Sequence, residues 1–506
     1  MKLSRKLLLP VALLASSSAL KAQTIKKEVR EADFMVFNSA NTNSWRGFNG
    51  ISSTEGYGDK ALTSVVIPVE KGLIATLGGK GIIALDENAN IKWNCDVSGI
   101  PMHLAKFKNK LIAFTVPDIQ KNTGVYANEL NAFLIDPLNG KILLQKNINS
   151  GDATFIEQAI FFSSADGSFS KVGIRLSNRK KAIDLTLINK WLQQFVQTQS
   201  FTLFDLDEKL EKSNSTNLTL PEGGFGGAQC NSKGEIFVRT IPSQNSIQIS
   251  KYVSGNPKPV KTLAQAIDAR KKDLNTKFLV SKNNPEIVYV ASLYEDASKE
   301  TALVLSSLNF TDGKVKDQKE LITKAYLKSL EKNYVSVNSK VDNIDLGSAD
   351  KMSLFELEEH GDQLFASLSS MVGIISPNMA YDDSYSILLK AYDLSLSPKS
   401  QNIIPRFYNS PYGYGLGLHR QGNTLHFIAN DRAKALSNRA VYGELDLTTG
   451  QVVKLNHLEK DKIEKGNPVD PATVLWYPSG FVLSYMNLKG IAGKIGAADI
   501  QVFSYK

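Results

Sequence analysis

The chain has 506 residues, of which 42 % are hydrophobic, so an ordinary apolar core can hold it together. Its two cysteines, Cys95 and Cys230, exclude a disulfide scaffold. Four of the 59 basic residues lie in the first 22 positions, which leaves 55 basic against 50 acidic residues and a net charge of +5. The basic runs 179–181 and 270–272 are short and have acidic neighbours, so we expect no nucleic-acid partner.

Residues 1–22 have the pattern of a secretory signal peptide. A basic start that contains Lys2 is followed by a short apolar run, Leu7–Ala15, and by the small residue Ala22. The apolar run is shorter than the ~20 residues that span a bilayer. We therefore expect export to the periplasm or the cell exterior, and no transmembrane segment. Because the first cysteine is Cys95, we do not expect a lipoprotein.

The two cysteines can pair only where the fold brings their Cα atoms to within about 7 Å. Cys95 and Cys230 lie in different parts of the repeat pattern described next. We expect each to sit singly in a strand, as a small apolar residue.

A hairpin unit recurs along the chain: a β-rich run, a polar turn that an Asp or Asn begins, and a second β-rich run. The clearest copies are Gly72–Cys95, Asn131–Ile148 and Val441–Leu455, in which Asp86, Asp136 and Asp446 begin the turns. Weaker copies place Asp205, Tyr252, Asn309 and Asp393 at that position, and an eighth copy begins at Ile500–Lys506.

Four short antiparallel strands per repeat, stacked around a ring, predict an all-β fold of the β-propeller class. We expect a single domain over residues 23–506 with eight blades, or alternatively seven. The last blade would take its fourth strand from the N-terminal side, at Asp33–Asn38. Apolar residues at helical spacing predict helical insertions over Ala182–Val196 and Lys319–Tyr334, which either cap the ring or add to a ligand-facing rim.

The copies resemble the repeats of the PQQ-like (quinoprotein alcohol dehydrogenase-like) β-propellers, whose motif runs Ala-x-Asp-x-x-Thr-Gly-x-x-x-Trp. The matching positions are Ala84, Asp86 and Trp93 in the first copy, Asp136 and Gly140 in the second, and Asp446, Thr449 and Gly450 in the third. The resemblance implies that Trp93 docks on the next blade. It is specific for the fold and uninformative about activity, because this fold carries many unrelated functions.

The enzymes of that family hold a quinone beside a disulfide of adjacent cysteines, and this chain has no Cys-Cys pair. The resemblance is therefore closer to the non-enzymatic bacterial exported members, and we predict no cofactor. The predicted function is a non-catalytic binding or scaffold module for a protein, glycan or small ligand at the periplasm or cell surface. We expect a monomer, and association with the envelope stays open. The alternative is a hydrolase or lyase whose site is built from loops of several blades.

The densest polar and aromatic cluster gives the candidate ligand-binding residues, which are Tyr412, Tyr414, His419, Arg420, His426 and Trp476. His419 and His426 are expected on neighbouring strands of one blade, near the central channel, and Trp476 in the last blade. No residue pattern identifies a catalytic group. We predict no metal site, because the calcium-like spacing of Asp86, Asn88 and Asn90 is followed by Ile91 where a glycine is needed.

Overall fold

The computed structural model describes residues 24–30, 66–69, 72–77, 81–86, 91–116, 129–150, 155–164, 166–177, 200–221, 224–243, 246–269, 275–337, 344–376, 379–409, 415–434, 437–458, 469, 471, 474–477, 480–485, 488–489, 494–495 and 499–504. Most of these residues form short antiparallel strands. The predicted signal peptide at 1–22 and the predicted helix at 182–196 lie outside the described residues.

The first four sheets follow one another along the chain, and each has four strands in sequential order. They are β2 (Val66–Val69), β3 (Gly72–Leu77), β4 (Gly81–Leu85) and β5 (Ile91–Cys95); β6 (Ile100–Phe107), β7 (Lys110–Val116), β8 (Glu129–Ile135) and β9 (Ile142–Ser150); β10 (Phe155–Ser163), β11 (Ser170–Ser177), β12 (Ser200–Leu206) and β13 (Lys212–Thr219); and β14 (Gly224–Cys230), β15 (Ile236–Ser243), β16 (Ser246–Tyr252) and β17 (Lys261–Ala266).

The remaining four sheets continue the pattern with two additions. They are β18 (Asn275–Val280), β19 (Ile287–Glu295), β20 (Thr301–Asn309) and β21 (Val315–Ile322); β22 (Met352–His360), β23 (Gln363–Ser376), β25 (Ile387–Asp393) and β26 (Pro398–Ile404), extended by β24 (Met379–Ser384) and β27 (Tyr408–Asn409); β28 (Gly417–Gln421), β29 (Thr424–Lys434), β30 (Ser437–Asp446) and β31 (Gln451–His457); and β32 (Leu475–Tyr477), β33 (Gly480–Tyr485), β36 (Asp499–Ser504) and β1 (Thr24–Arg30). A two-stranded hairpin, β34 (Leu488–Lys489) and β35 (Lys494–Ile495), lies between β33 and β36 in the chain.

The first strands of successive sheets contact one another and place the sheets around a common axis. Contacts join β2 to β6, β6 to β10, β10 to β14, β14 to β18 and β18 to β22, and β2 also contacts β32 of the eighth sheet. The fold is therefore a β-propeller, and the predicted all-β fold class is confirmed. The seven four-stranded sheets and the one six-stranded sheet within the described residues are consistent with eight blades.

The eighth sheet is made from both ends of the chain. Its strand β36 pairs antiparallel with β33 on one side and with β1 on the other, in the register Arg30↔Asp499 to Thr24↔Ser504. The strand that completes this sheet from the N-terminal side is thus Thr24–Arg30. The segment predicted for that position, Asp33–Asn38, lies outside the described residues.

The seven predicted hairpin copies form the third and fourth strands of the first seven sheets, and four of the predicted turn residues, Asp136, Asn309, Asp393 and Asp446, accept a hydrogen bond from the turn backbone. In the second sheet, Asp136 accepts a hydrogen bond of 2.9 Å from the backbone N–H of Leu138. In the seventh, Asp446 accepts one of 2.7 Å from Thr448. These are Asx turns, in which a side chain satisfies the turn backbone.

One copy is displaced by two residues from the predicted alignment. In the third sheet the backbone N–H groups of Lys209 and Glu211 donate to Asp207, each at 2.8 Å, so Asp207 and not Asp205 holds the turn. Asp205 instead forms an ion pair with the Nζ of the buried Lys171, at 2.5 Å. Asp205 and Asp207 are two residues apart, so the sequence pattern fits a hairpin register that begins the turn at either one.

Trp93 joins the first sheet to the second, as the family resemblance implies. Its indole N–H donates to the carbonyl of Pro137 at 3.1 Å, and its ring lies against Gly140. Gly140 has a φ of +73°, and an added Cβ would lie 2.8 Å from Trp93 Cδ2. A glycine is needed here for both the backbone conformation and the close approach.

One of the two predicted helices falls within the described residues, where it is shorter than predicted. Helix α1 spans Lys324–Lys332, because the preceding residues continue β21 as far as Ile322. Thr323 caps the helix by accepting from the N–H of Tyr326 at 3.1 Å. The buried Leu327 packs into the core shared by the fifth and sixth sheets, so α1 covers the junction between two blades.

Antiparallel order gives the ring two different faces. In each sheet the first-to-second and third-to-fourth turns lie at one end, which we call the turn face. The second-to-third turns and the links between sheets lie at the other end, which we call the connection face. Among the described residues, the link between the fifth and sixth sheets, which carries α1, belongs to the connection face by this order.

Both cysteines sit singly in strands and are free. Burial raises the pKa of the Cys95 thiol and raises that of Cys230 to about 11. Within the described part of the chain, no helix has the length and apolar character to cross a membrane.

Candidate functional site

Four of the six predicted site residues lie within the described part of the chain. His419 and Arg420 lie on β28 and His426 on β29, where His419 and His426 are directly opposite each other. Trp476 lies on β32 of the next sheet. Tyr412 and Tyr414 lie outside the described residues. We call the junction between adjacent sheets a seam, and three of these side chains meet in the seam between the seventh and eighth sheets.

The imidazoles and the indole form a stack. The ring of His419 lies parallel to that of Trp476, with centroids 5.4 Å apart and an interplanar angle of 9°. The ring of His426 lies 6.2 Å from His419 and 6.3 Å from Trp476. On its other side Trp476 packs on Phe481, 5.2 Å away. The rings therefore pack one sheet against the next, and the faces of Trp476 are already occupied.

His426 ends a chain of hydrogen bonds that crosses its own sheet. The hydroxyl of Tyr442 donates to Glu444 at 2.6 Å, and Lys454 donates to the same carboxylate oxygen at 3.0 Å. His426 Nδ1 lies 2.7 Å from the Tyr442 hydroxyl oxygen. Since that hydroxyl uses its hydrogen for Glu444, its oxygen accepts from an Nδ1–H of His426. The chain fixes the tautomer and the orientation of the imidazole.

Both histidines are held in the neutral form. Burial lowers the pKa of His426 to about 4, an effect that the Glu444 carboxylate opposes and that His419 and Lys454 reinforce. Burial also lowers the pKa of His419, and the neighbouring His360 adds to the effect. A neutral pair of stacked imidazoles suits packing between sheets.

Arg420 joins the seventh sheet to the sixth. Its guanidinium donates to the backbone carbonyl of His360 at 2.9 Å and forms an ion pair with Asp362. It also donates to the carbonyl of Gly422 at 3.0 Å, within its own turn. These contacts are all between turns on the turn face. Arg420 therefore makes a contact between blades, and its ligand-binding role stays a prediction.

The predicted cluster omitted Tyr442, Glu444 and Lys454, which orient His426. A signal for them exists in the sequence. Tyr442 and Glu444 alternate on one strand and so share a face, and the hairpin register places Lys454 opposite Glu444. His426 in turn lies opposite Glu444 on the other side. These three residues can be grouped with His426 only through the pairing of β29, β30 and β31, which the polar and aromatic pattern alone does not give.

A carboxylate fastens the fifth sheet to the sixth in a different manner. The buried Glu359, on β22, accepts hydrogen bonds from the Ser281 hydroxyl at 3.2 Å and from the backbone N–H groups of Lys282 and Asn283 at 3.1 and 3.0 Å. Asn283 also donates to the carbonyl of Gly361. Glu359 thus satisfies the turn of the preceding blade from across the seam.

Lysines make ion pairs across two further seam regions. Lys251, on β16, bridges Glu235 at 2.9 Å and Glu286 of the fifth sheet at 2.8 Å. Lys390, on β25, pairs with Glu320 of the fifth sheet at 2.7 Å and donates to the hydroxyl of Tyr326 in α1 at 2.8 Å. The hydrogen bond from Lys251 holds the pKa of Glu286 below its usual range.

Contacts between turns run without interruption from the second sheet to the seventh. The backbone N–H of Lys108 donates to the carbonyl of Gly167, and an added Cβ on Gly234 would meet the side chain of Lys171. The amide of Asn231 donates to the carbonyl of Pro285 at 3.0 Å. The Asn283 and Arg420 contacts described above continue the series. The turn face is therefore a fastening surface for the ring.

Among the described residues, no group of three or more His, Cys, Asp or Glu side chains is placed to hold a metal ion. The polar side chains named above each have a partner in a neighbouring turn, strand or sheet.

No protein-family model and no curated protein matches this sequence. Solved structures with a similar chain path include BamB from Moraxella catarrhalis, at 10 % identity and a TM-score of 0.44, covering 96 % of this chain and 100 % of that one. The WD40 domain of SCAP from fission yeast has 7 % identity and a TM-score of 0.40, covering 88 % and 95 %. The β-propeller domain of the Trilobed protease from Pyrococcus furiosus has 8 % identity and a TM-score of 0.40, covering 80 % and 97 %. Similarities this distant do not indicate what this chain binds.

Proposed function

We propose that this chain is an exported, non-catalytic β-propeller that serves as a binding or scaffold module for a protein, glycan or small ligand at the bacterial periplasm or cell surface. The observation that carries the proposal is the difference between the two faces of the ring. The turn face uses its polar side chains to fasten neighbouring sheets, whereas the connection face carries α1 and the exposed residues that follow it.

The fate of the predicted site supports a scaffold. His419, His426 and Trp476 pack against one another in a seam, and Arg420 is engaged by the turn of the sixth sheet. Side chains engaged in this way contribute to the rigidity of the ring. A rigid ring that presents a connecting segment on one face is suited to binding, since binding residues are commonly carried by loops on a rigid scaffold.

The chain offers a matched pair of positions for testing which face binds. Val335 follows α1 on the connection face, and its side chain is 80 % exposed. Leu138 lies in the third-to-fourth turn of the second sheet, on the turn face, and is 84 % exposed. The native thiols should react slowly, because Cys95 is buried and the pKa of Cys230 is raised to about 11.

Val335→Cys and Leu138→Cys variants of the full chain would each be coupled to a maleimide-linked polyethylene glycol. They would then be used to recover partners from a native envelope extract, with mass spectrometry as the readout. We expect the polymer at Val335 to abolish recovery of the partner seen with the unmodified protein and the polymer at Leu138 to leave it intact. Loss at Leu138 alone would contradict the assignment of the binding face. Absence of any partner, together with turnover of a glycan or ester library, would replace the proposal with the hydrolase or lyase.

A further inference from the structure

The seam between the seventh and eighth sheets differs from the others in combining two adjacent histidines with the sheet that joins the chain ends. We propose that this seam is an acid-sensitive joint, at which protonation of the stacked pair His419 and His426 separates the eighth sheet from the seventh and opens the ring. This inference does not depend on the proposed binding function.

The first step is the effect of charge on the stack. His419 and His426 are a directly opposed pair on antiparallel strands, where side chains lie within about 5.5 Å of each other. One imidazolium above the indole of Trp476 is attracted to its ring face. A second imidazolium beside the first is repelled, and the pair is poorly solvated because His426 is buried. The second proton is therefore the one that disrupts the stack.

The charged groups that face the pair add to this effect more than they relieve it. His419 has His360 of the sixth sheet as a neighbour, and the coulombic effect of His360 disfavours a charge on His419. His426 faces the Tyr442 hydroxyl, the Glu444 carboxylate and the Lys454 ammonium. Glu444 is the one negative group in this set, and it is already paired with Lys454 at 3.0 Å. Its charge is thus largely compensated before either histidine is protonated.

The second step is the effect of a weakened stack on the ring. The first strand of the eighth sheet, β32, has only three residues, and the sheet's outer strand β1 is supplied by the other end of the chain. Besides the stack, the seam contains a buried apolar cluster that includes Ile428, Leu483 and Phe503, in which Tyr442 packs on Phe481, 5.3 Å away. It also contains a pair of hydrogen bonds between the Asn430 amide and the backbone of Val469 at 2.7 and 2.9 Å. These contacts do not titrate at mildly acidic pH, and Trp476 is the residue that links β32 to the histidines.

The experiment is amide hydrogen–deuterium exchange of the full mature chain at about pH 7.5 and about pH 5, corrected for the intrinsic pH dependence of exchange. The fifth sheet, which contains no histidine, is the internal reference. We expect protection of 475–485 and 499–504 to fall by roughly tenfold relative to the fifth sheet at the lower pH. Equal changes in both sheets would overturn the proposal.

The variant His419→Phe with His426→Gln keeps a ring on Trp476 and a donor for Tyr442 while removing both titrating groups. We expect it to lose the acid-dependent change, and an unchanged response would also overturn the proposal. If circular dichroism shows that the double variant does not fold, His419→Phe alone should still reduce the change and an undiminished one counts against the joint. His103→Phe is the matched control, because it removes an aromatic-stacked histidine from the seam between the second and third sheets and should leave exchange of the eighth sheet as it is.

Discussion

The seam between the fifth and sixth sheets and the seam between the seventh and eighth perform the same task with different side chains. The first is fastened by Glu359 and by the Lys390–Glu320 ion pair, which bring formal charges into the junction. The second is filled by imidazole and indole rings that are neutral at pH 7. A seam between propeller blades can therefore be held by charged side chains or by packed rings. Which of the two is present determines how the stability of the seam depends on pH.

The largest effect is expected from removing the carboxylate of the charged seam. Glu359→Ala leaves the backbone N–H of Lys282 and the Ser281 hydroxyl without their acceptor, and the N–H of Asn283 keeps only the Ser281 oxygen. Each unsatisfied buried donor costs roughly 1–3 kcal/mol. We expect a loss of about 4 kcal/mol in the free energy of unfolding, measured by urea denaturation. Asp350→Ala is the control, because the side chain of Asp350 is exposed, and its effect should be within about 0.5 kcal/mol. A loss as small for Glu359→Ala would show that this seam is held by its apolar core alone.

The next effect tests how tightly an aromatic seam is packed. Gly140→Ala forces a side chain into a left-handed backbone and against the ring of Trp93, so we expect a loss of about 3 kcal/mol. Gly255→Ala carries the same kind of backbone strain, at a φ of +79°, but has nothing within 4 Å of the added Cβ. Its loss should be about 1 kcal/mol. Equal losses in the two variants would mean that the docking of Trp93 is loose.

The pH dependence separates the two kinds of seam. His103 stacks on Phe161, with ring centroids 5.2 Å apart, in the seam between the second and third sheets. Its Nδ1 is buried without a hydrogen-bond partner among the described residues. Burial lowers the pKa of His103 to about 4. A histidine whose pKa is lower in the folded state than its unfolded value of 6.5 binds its proton mainly on unfolding. Its contribution to stability is therefore complete above pH 6.5 and is lost as the pH falls toward 4.

We expect His103→Phe to reduce the acid-induced loss of stability by about 2 kcal/mol between neutral pH and about pH 4.5. Thermal unfolding followed across that range is the measurement. The ion pair of Lys251 with Glu286 should lose its contribution only at lower pH, because the pKa of Glu286 lies below its usual value and the pair is retained through mild acid. A pH profile that His103→Phe does not change would contradict the neutral, packed state of this imidazole.

The smallest effect lies within a sheet. Asp446→Ala removes the acceptor for the backbone N–H of Thr448, an exposed Asx-turn contact, and should cost about 1 kcal/mol. Added calcium should leave the melting temperature of both wild type and variant unchanged, because Asp446 holds a turn. A calcium-dependent stabilisation that the variant lacks would show instead that the repeat aspartates bind metal.

The hairpins could be predicted from the sequence because their signal is local. Asp136 and Asp446 begin turns only a few residues long, and the β-rich runs on either side define the strands. The third sheet shows the limit of this reasoning, since Asp205 and Asp207 both fit the pattern and only the ion pair with Lys171 distinguishes them. The adjacency of His419 and His426 was predictable for the same reason, because a two-residue turn joins their strands.

The roles of the site residues could not be predicted, because they depend on which residues of different sheets meet. Arg420 contacts a carbonyl 60 positions earlier in the chain, and His419 stacks on a tryptophan in the following sheet. The role of Glu359 could not be predicted, since a single glutamate in a strand belongs to no recognisable sequence pattern. Contacts of this kind follow from the packing of blades, which a repeat pattern does not specify.

The pairing of β1 with β36 has a consequence for how the protein folds. These strands are separated by more than 460 residues, so the contact that completes the eighth sheet has close to the greatest sequence separation the chain allows. The sheet cannot be completed until β36 has emerged from the ribosome. Until then β33 and β1 have no β36 to pair with, and the incomplete sheet exposes strand edges of the kind that favour aggregation. The pairing of β1 with β36 is thus available only late in synthesis, and the nascent sheet stays vulnerable to aggregation until it forms.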